Sequence, residues 1–77
     1  MTEQDLRNRF ATRLKILRTI NNITQDDLAQ QLNVSKRMVA YYETGKATPS
    51  LKVMCKLGEV FNTDPGIFFA NEATIRI

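Results

Sequence analysis

The sequence has no histidine and no tryptophan, and it has one cysteine, Cys55, among 77 residues. A single cysteine cannot form an internal disulfide, and without histidine the chain lacks a usual zinc ligand and the commonest general base. We therefore expect no metal site, no cofactor and no enzymatic activity. Cys55 is expected to be a small buried hydrophobic residue.

Long hydrophobic runs are also missing. No segment approaches the roughly 18 apolar residues of a membrane span, and the N-terminal stretch MTEQDLRNRF has no apolar core like that of a signal peptide. We therefore expect a cytoplasmic protein with no membrane partner. The chain is 43% hydrophobic and 25% charged, which is typical of a globular protein, and its length suits one small domain.

Positive charge is concentrated at the start of the chain. Residues 1–22 contain five basic and two acidic side chains, which accounts for the whole net charge of +3, because residues 23–49 and 50–77 are each balanced. This excess indicates an anionic partner. A solvated helix face is the alternative for any one of these cations.

Apolar spacing and capping residues predict five helices. The first follows a capping box at Thr2 and Asp5, and its apolar stripe consists of Leu6, Phe10, Leu14 and Leu17. The second follows a cap at Thr24. The third restarts at Ser35, after a corner in which Asn33 tolerates a left-handed backbone, and ends where Gly45 can adopt that conformation.

The last two predicted helices follow proline-containing starts. Pro49-Ser50 opens the fourth, whose apolar stripe is Leu51, Met54, Leu57 and Phe61, with close packing at Gly58. Asp64-Pro65 opens a short fifth helix. Residues 71–77, NEATIRI, end in an alternating pattern typical of a short strand, with a disordered segment as the equal alternative. The predicted fold is all-α, with a domain at residues 1–69 and a C-terminal tail at residues 70–77.

The second and third helices, joined by the tight connection Asn33-Val34, form a helix-turn-helix arrangement. Residues 24–69 resemble the phage repressor and Cro (XRE-type) family of helix-turn-helix domains. The matching features are Thr24-Gln25, Leu28-Ala29, Leu32, Val34, Ser35, Val39, Glu43-x-Gly45-x-x-x-Pro49 and the closing apolar helix. The resemblance implies a compact five-helix lambda-repressor-like domain that binds DNA operators, usually as a symmetric dimer, and commonly regulates transcription. Asn33 departs from the glycine often found at the turn.

The outer face of the third helix, residues 35–44, is predicted to contact DNA bases. With Val39 and Tyr42 inward, the opposite face carries Lys36, Arg37, Ala40 and Tyr41. Arg37 can bind guanine with two hydrogen bonds, Lys36 can reach guanine or phosphate, and Tyr41 can meet a base edge or a thymine methyl. Ala40 would let the helix approach closely. A solvated patch is the alternative for these side chains.

Other side chains are placed to contact the DNA backbone or to support the third helix. The predicted backbone contacts are Gln25, Ser35, Thr44, Lys46, Thr48 and Arg13. For Arg13 a solvated face is an equal alternative. The family often pairs an arginine late in the first helix with the acid that ends the third. Because Arg18 and Glu43 occupy these positions, we expect a structural ion pair that fixes the angle of the third helix.

One recognition helix reads about four or five base pairs, so we expect a homodimer on a palindromic operator. The predicted dimer surface combines Phe68 and Phe69 with Ile75 and Ile77 of the tail. No sensor domain fits in the chain, so we expect no small-molecule effector, whereas a second regulatory protein is a candidate partner. The predicted function is a transcriptional regulator acting as a repressor. The alternative is a protein-interaction module, such as an antitoxin-like protein with autoregulatory DNA binding.

Overall fold

A computed structural model describes residues 1–70 of the chain and contains four α-helices and a closing 3-10 turn. The helices are α1 (Glu3–Ile20), α2 (Gln25–Leu32), α3 (Lys36–Glu43) and α4 (Leu51–Val60), and the 3-10 turn is Pro65–Phe68. The predicted all-α fold is confirmed, although the fifth helix is only this turn. The predicted strand, with Ile75 and Ile77, lies outside the described residues.

Each α-helix begins at a predicted capping residue. The side-chain oxygens of Thr2, Thr24, Ser35 and Ser50 each accept a hydrogen bond from the backbone N–H three residues later. In α1 the backbone N–H of Thr2 also donates to Asp5 Oδ2 at 2.9 Å, and this donation lowers the pKa of Asp5. These side chains accept hydrogen bonds from N–H groups of the first helical turn, which have no acceptor within the helix.

Two left-handed residues set the direction of α3. Asn33, at the corner between α2 and α3, has φ 58° and ψ 45°, as its sequence position predicts. Gly45, which follows α3, has φ 76°. A Cβ atom at Gly45 would also lie 2.7 Å from Asn8 Oδ1, so both the backbone conformation and the close approach of α1 favour glycine there.

The core is built around Phe10 of α1. Its ring packs edge-on against Tyr42 of α3 at 6.1 Å and meets Phe68 at 5.4 Å, while Phe69 stacks on it at 5.6 Å. The other buried members of the core are Leu14, Leu28, Ala29, Leu32, Val39, Val53, Met54 and Leu57. Burying each of the larger side chains contributes about 1.5–3 kcal/mol to folding stability. Apolar packing therefore holds the inner face of α3 against the core.

The fifth element is a single turn, capped at its start by Asp64 and bonded to α1 at its end. Asp64 Oδ1 accepts from Gly66 N–H at 2.8 Å, and glycine there is a poor helix former. The carbonyls of Ile67 and Phe69 accept hydrogen bonds from α1 side chains. Close packing at Gly58 is also observed, but against the segment leading into this turn: an added Cβ would lie 2.9 Å from Thr63 O.

The buried face of α4 differs from the predicted one at Leu51 and Cys55. Leu51 is 84% exposed and Cys55 is also exposed, whereas Val53 is buried beside Met54 and Leu57. Positions four apart share a helix face, so Leu51 and Cys55 point outward together once Val53 turns inward. The expected burial of Leu51 and Cys55 was therefore wrong.

Candidate nucleic-acid interface

Helix α3 presents one packed face and one solvent-exposed face. Val39 is fully buried and Tyr42 is 4% exposed, so these two side chains anchor α3 to the core. The opposite face holds the predicted base contacts: Lys36, Arg37 and Tyr41 are exposed, and Ala40 is partly exposed. The structure therefore brings these four residues together on one open surface.

The side chains of this face differ in how firmly they are held. Lys36 Nζ lies 3.6 Å from Asp26 Oδ2, and both side chains are more than half exposed, so the pair is weak enough to exchange for another anion. Lys46 Nζ lies 5.7 Å from the centroid of the Tyr41 ring, a cation–π distance. Within residues 1–70, Arg37 makes no hydrogen bond or salt bridge, which leaves all its N–H donors available.

The predicted backbone contacts lie around this face, and most have partners within the protein. Ser35 Oγ caps α3, and Thr44 Oγ1 donates to Ala40 O at 2.9 Å. Thr48 Oγ1 accepts from Arg7 Nε at 3.0 Å, so its own hydroxyl hydrogen remains free to donate. The Lys46 side chain is exposed. Amides and hydroxyls of this kind are typical phosphate ligands in protein–DNA interfaces.

A partly buried ionic cluster joins the first three helices at the C-terminal end of α3. Arg18 of α1 donates to both oxygens of Glu43, with Nε–Oε2 at 2.5 Å and Nη2–Oε1 at 3.1 Å, and its third nitrogen donates to Ile23 O at 2.8 Å. The Gln25 amide, at the start of α2, donates to Glu43 Oε1 at 3.0 Å. The cluster therefore ties the C-terminal end of α3 to both α1 and α2.

The structure bears on two further expectations for the site. Arg13 Nη1 donates to Ile67 O at 3.0 Å, so its guanidinium supports the 3-10 turn, and its contact with phosphate stays a prediction. Phe68 is fully buried, in contact with Phe10 and Phe61. A side chain without exposed surface cannot contact a second subunit, which corrects the assignment of Phe68 to a dimer surface.

Sequence reasoning missed Arg7 as a neighbour of the segment that follows α3. Arg7 donates to Thr48 and pairs with Glu3 across a 2.6 Å contact. Because Arg7 and Thr48 are 41 positions apart, no local pattern signals that they meet. The pair with Glu3, by contrast, follows from their spacing of four residues on one helix.

In residues 1–70, no group of three or more histidine, cysteine, aspartate or glutamate side chains is arranged to hold a metal ion. None of the helices in that part of the chain is long and apolar enough to cross a membrane.

Comparisons with known proteins identify related sequences and structures. A helix-turn-helix family profile matches residues 14–68. An uncharacterised HTH-type transcriptional regulator of Methanocaldococcus jannaschii is 43% identical over 49 residues, which cover 64% of this chain and 74% of the relative. The HTH-type transcriptional activator BcrR of Enterococcus faecalis is 31% identical over 88% of this chain, but the match covers only 33% of BcrR.

The overall fold is similar to that of a solved structure. The crystal structure of an HTH_3 family transcriptional regulator from Vibrio cholerae matches 96% of this chain with a TM-score of 0.81 and 28% sequence identity. The match spans 42% of the Vibrio chain.

Proposed function

Because the chain belongs to the helix-turn-helix family of transcriptional regulators, we propose that it is a repressor that binds a palindromic operator as a homodimer. In this proposal residues 35–44 enter the major groove, where α3 reads base edges. The observation that carries the proposal is the exposed face of α3. That face presents Arg37 without an intramolecular partner in residues 1–70 and opposes the buried face that fixes the helix.

The roles of the base contacts follow from their chemistry. The Arg37 guanidinium can donate two parallel hydrogen bonds to guanine O6 and N7. Lys36 can leave its exposed partner Asp26 for guanine or for phosphate, since an exposed pair contributes little. Tyr41, which is 37% exposed, can contact a base edge or a thymine methyl, and the small side chain of Ala40 permits close approach.

The flanking groups would hold the domain on the duplex. We propose phosphate contacts for five residues: Gln25, Ser35, Thr44, Lys46 and Thr48. The N-termini of α2 and α3 add backbone amides, which favour phosphate through their orientation and the helix dipole. These contacts position the domain without specifying sequence, so the proposed specificity comes from α3.

The size of the domain is compatible with adjacent operator half-sites. Its principal extents are 31 × 26 × 21 Å, and the half-sites of a helix-turn-helix dimer lie about 34 Å apart. Two such domains in contact, side by side, would therefore place their recognition helices near the required spacing. We propose residues 1–69 as the DNA-binding domain, with Phe69 and the tail, including Ile75 and Ile77, contributing to the dimer.

Regulation is proposed to come from outside the domain. We propose that the protein acts in the cytoplasm and that operator occupancy depends on its concentration, on competing proteins at the operator or on a second regulatory protein. No small-molecule effector is part of this proposal, and no catalytic activity is assigned to the chain.

Selection of bound sequences from a random pool of duplex DNA tests the proposal. The expected result is a two-fold symmetric motif with half-site centres about one helical turn apart. Enrichment of no sequence at moderate salt would contradict sequence-specific binding, and a motif without symmetry would contradict the homodimer. A repressor is then expected to lower transcription from a promoter that contains the selected motif, whereas an activator would raise it.

A further inference from the structure

An apolar hollow lies beside the segment that follows α3. None of the proposed base contacts on α3 lines it, although Thr48, a proposed phosphate contact, lies on its rim. It has a volume of about 110 Å³ and is lined mainly by Leu6, Ala47 and Phe69, with Phe10 beneath them. Leu6 is 37% exposed even though it begins the apolar stripe of α1. We call this surface the Leu6 hollow.

The rim of the Leu6 hollow carries one charge of each sign. Glu3 and Arg7 both line it, with side chains that are 77% and 34% exposed, and Thr48 of the segment after α3 lines it too. The hydrogen bond from Arg7 to Thr48 fixes the guanidinium in place. The surface is therefore an apolar centre with an adjacent anion and cation.

We propose that the Leu6 hollow is the surface through which two copies of this chain associate, an inference that rests on the proposed homodimer. A two-fold interface brings the same patch of both subunits together, so the patch must complement itself. Apolar residues meet apolar residues across such an axis. The Glu3–Arg7 pair within each subunit is exposed and contributes little to stability, so it can exchange and let Glu3 of each subunit face Arg7 of the other. A patch with charges of only one sign would repel its copy.

The position of the Leu6 hollow suits an operator-binding dimer. Ala47 and Thr48 follow α3 by only four and five residues, so an interface here connects almost directly to the end of the recognition helix. Phe69 lines the hollow, and the chain continues from it into residues 71–77. The proposed contribution of the tail would therefore start from the edge of the same surface.

The first test uses Leu6→Asp in the full chain, with sedimentation measured over a range of concentrations. We expect the wild type to dimerise and Leu6→Asp to weaken the dimer at least tenfold. The matched control is Ile20→Asp: Ile20 is 68% exposed at the other end of α1, about 21 Å away at 1.5 Å per residue. It should dimerise like the wild type, and circular dichroism should show that both variants remain helical.

A charge exchange gives the sharper test. Glu3→Arg and Arg7→Glu should each weaken self-association, because like charges then face each other across the axis. An equal mixture of the two variants should form heterodimers nearly as strong as the wild-type dimer, since every contact is again between opposite charges. An effect confined to one helix could not be rescued by mixing two chains.

Three results would overturn the proposal: a wild-type chain that stays monomeric, a Leu6→Asp dimer as strong as the wild type, or no rescue in the mixture. Failure of the proposed function is a separate observation. If no DNA sequence is selected while these dimer results hold, DNA recognition is wrong and the interface stands. If a symmetric motif is selected while Leu6→Asp still dimerises, only the interface is wrong.

Discussion

The guanidinium of Arg18 and the carboxylate of Glu43 form a two-pronged ion pair with side chains that are 15% and 3% exposed. Such a geometry is specific as well as strong, because two parallel hydrogen bonds fix the relative orientation of the groups. Glu43 is the last residue of α3, and Arg18 lies near the end of α1. The pair therefore sets the position of α3 relative to α1.

Removing one member of this pair should destabilise the domain. In Arg18→Met the nearly buried Glu43 carboxylate keeps only the Gln25 amide as a partner, and we expect a loss of about 3 kcal/mol, the low end for breaking a buried pair. Urea denaturation measures it. The double variant Arg18→Met with Glu43→Met should recover most of the loss, since no uncompensated charge remains. Equal stability of Arg18→Met and wild type would show that the pair is dispensable.

Arg37 should govern sequence discrimination rather than general affinity. Arg37→Ala is expected to lose about 1–3 kcal/mol of preference for the selected operator over a variant with the contacted guanine replaced. Arg37→Lys is the matched control, because lysine keeps the positive charge but lacks the planar guanidinium that can donate two parallel hydrogen bonds. It should lose the preference too, while its salt dependence stays that of the wild type. Operator titrations that find full discrimination in Arg37→Ala would remove Arg37 from the base contacts.

Phosphate contacts should make operator binding strongly salt-dependent. A dimer that touches about 6–10 phosphates should show a slope of log affinity against log salt of about −5 to −9. Lys46→Ala should reduce the magnitude of that slope by about two, one for each subunit, without changing the preferred sequence. Binding measured between low and moderate salt provides the slope. A value near zero for the wild type would contradict binding along the DNA backbone.

Gly45→Ala should destabilise the end of α3. The left-handed backbone at Gly45 costs about 1–2 kcal/mol for a residue with a Cβ atom, and that atom would also lie 2.7 Å from Asn8 Oδ1. Thermal unfolding of Gly45→Ala measures the combined loss of stability from the backbone strain and the close contact. The double variant Asn8→Ala with Gly45→Ala removes the contact but keeps the strain, so it should recover only part of the loss. Complete recovery would show that the backbone conformation costs nothing.

Local chemistry made most of the fold predictable. Thr2, Thr24 and Ser35 were predicted as caps and Pro49-Ser50 as the start of α4, because helix starts depend on residues a few positions apart. The left-handed conformations of Asn33 and Gly45 follow from the same short range. Apolar periodicity placed Val39 and Tyr42 in the core correctly. Periodicity could not show which side of α4 faces the core, because Leu51 and Val53 are both apolar. Only packing against the other helices determines that Val53 is buried and Leu51 is exposed.

The site was less predictable where it depends on contacts distant in sequence. The exposed face of α3 follows from the helix period. The partners of Arg13 and Arg7 lie 54 and 41 positions away, so composition alone could not separate a structural arginine from one available to DNA. Phe68 and Phe69 are adjacent aromatic residues with the same chemistry, and only the three-dimensional packing shows that one is buried and the other lines a surface hollow.

Burial raises the pKa of Tyr42, which predicts a specific loss of stability in alkali. An unfolded tyrosine ionises near pH 10, while the folded protein keeps Tyr42 protonated to a higher pH. The folded state then binds more protons than the unfolded state, so the free energy of unfolding falls as pH rises above about 10. Below that pH both states are protonated and the contribution is fully present.

Tyr42→Phe isolates this effect. The phenol oxygen of Tyr42 makes no hydrogen bond within residues 1–70, so the variant should match the wild type near neutral pH. Lysines also lose protons in alkali, so the quantity to measure is the difference in urea midpoint between wild type and variant from pH 7 to 11. The wild-type midpoint should fall more steeply. Parallel curves would mean that folding does not raise the pKa of Tyr42, because its hydroxyl is already solvated in the folded protein.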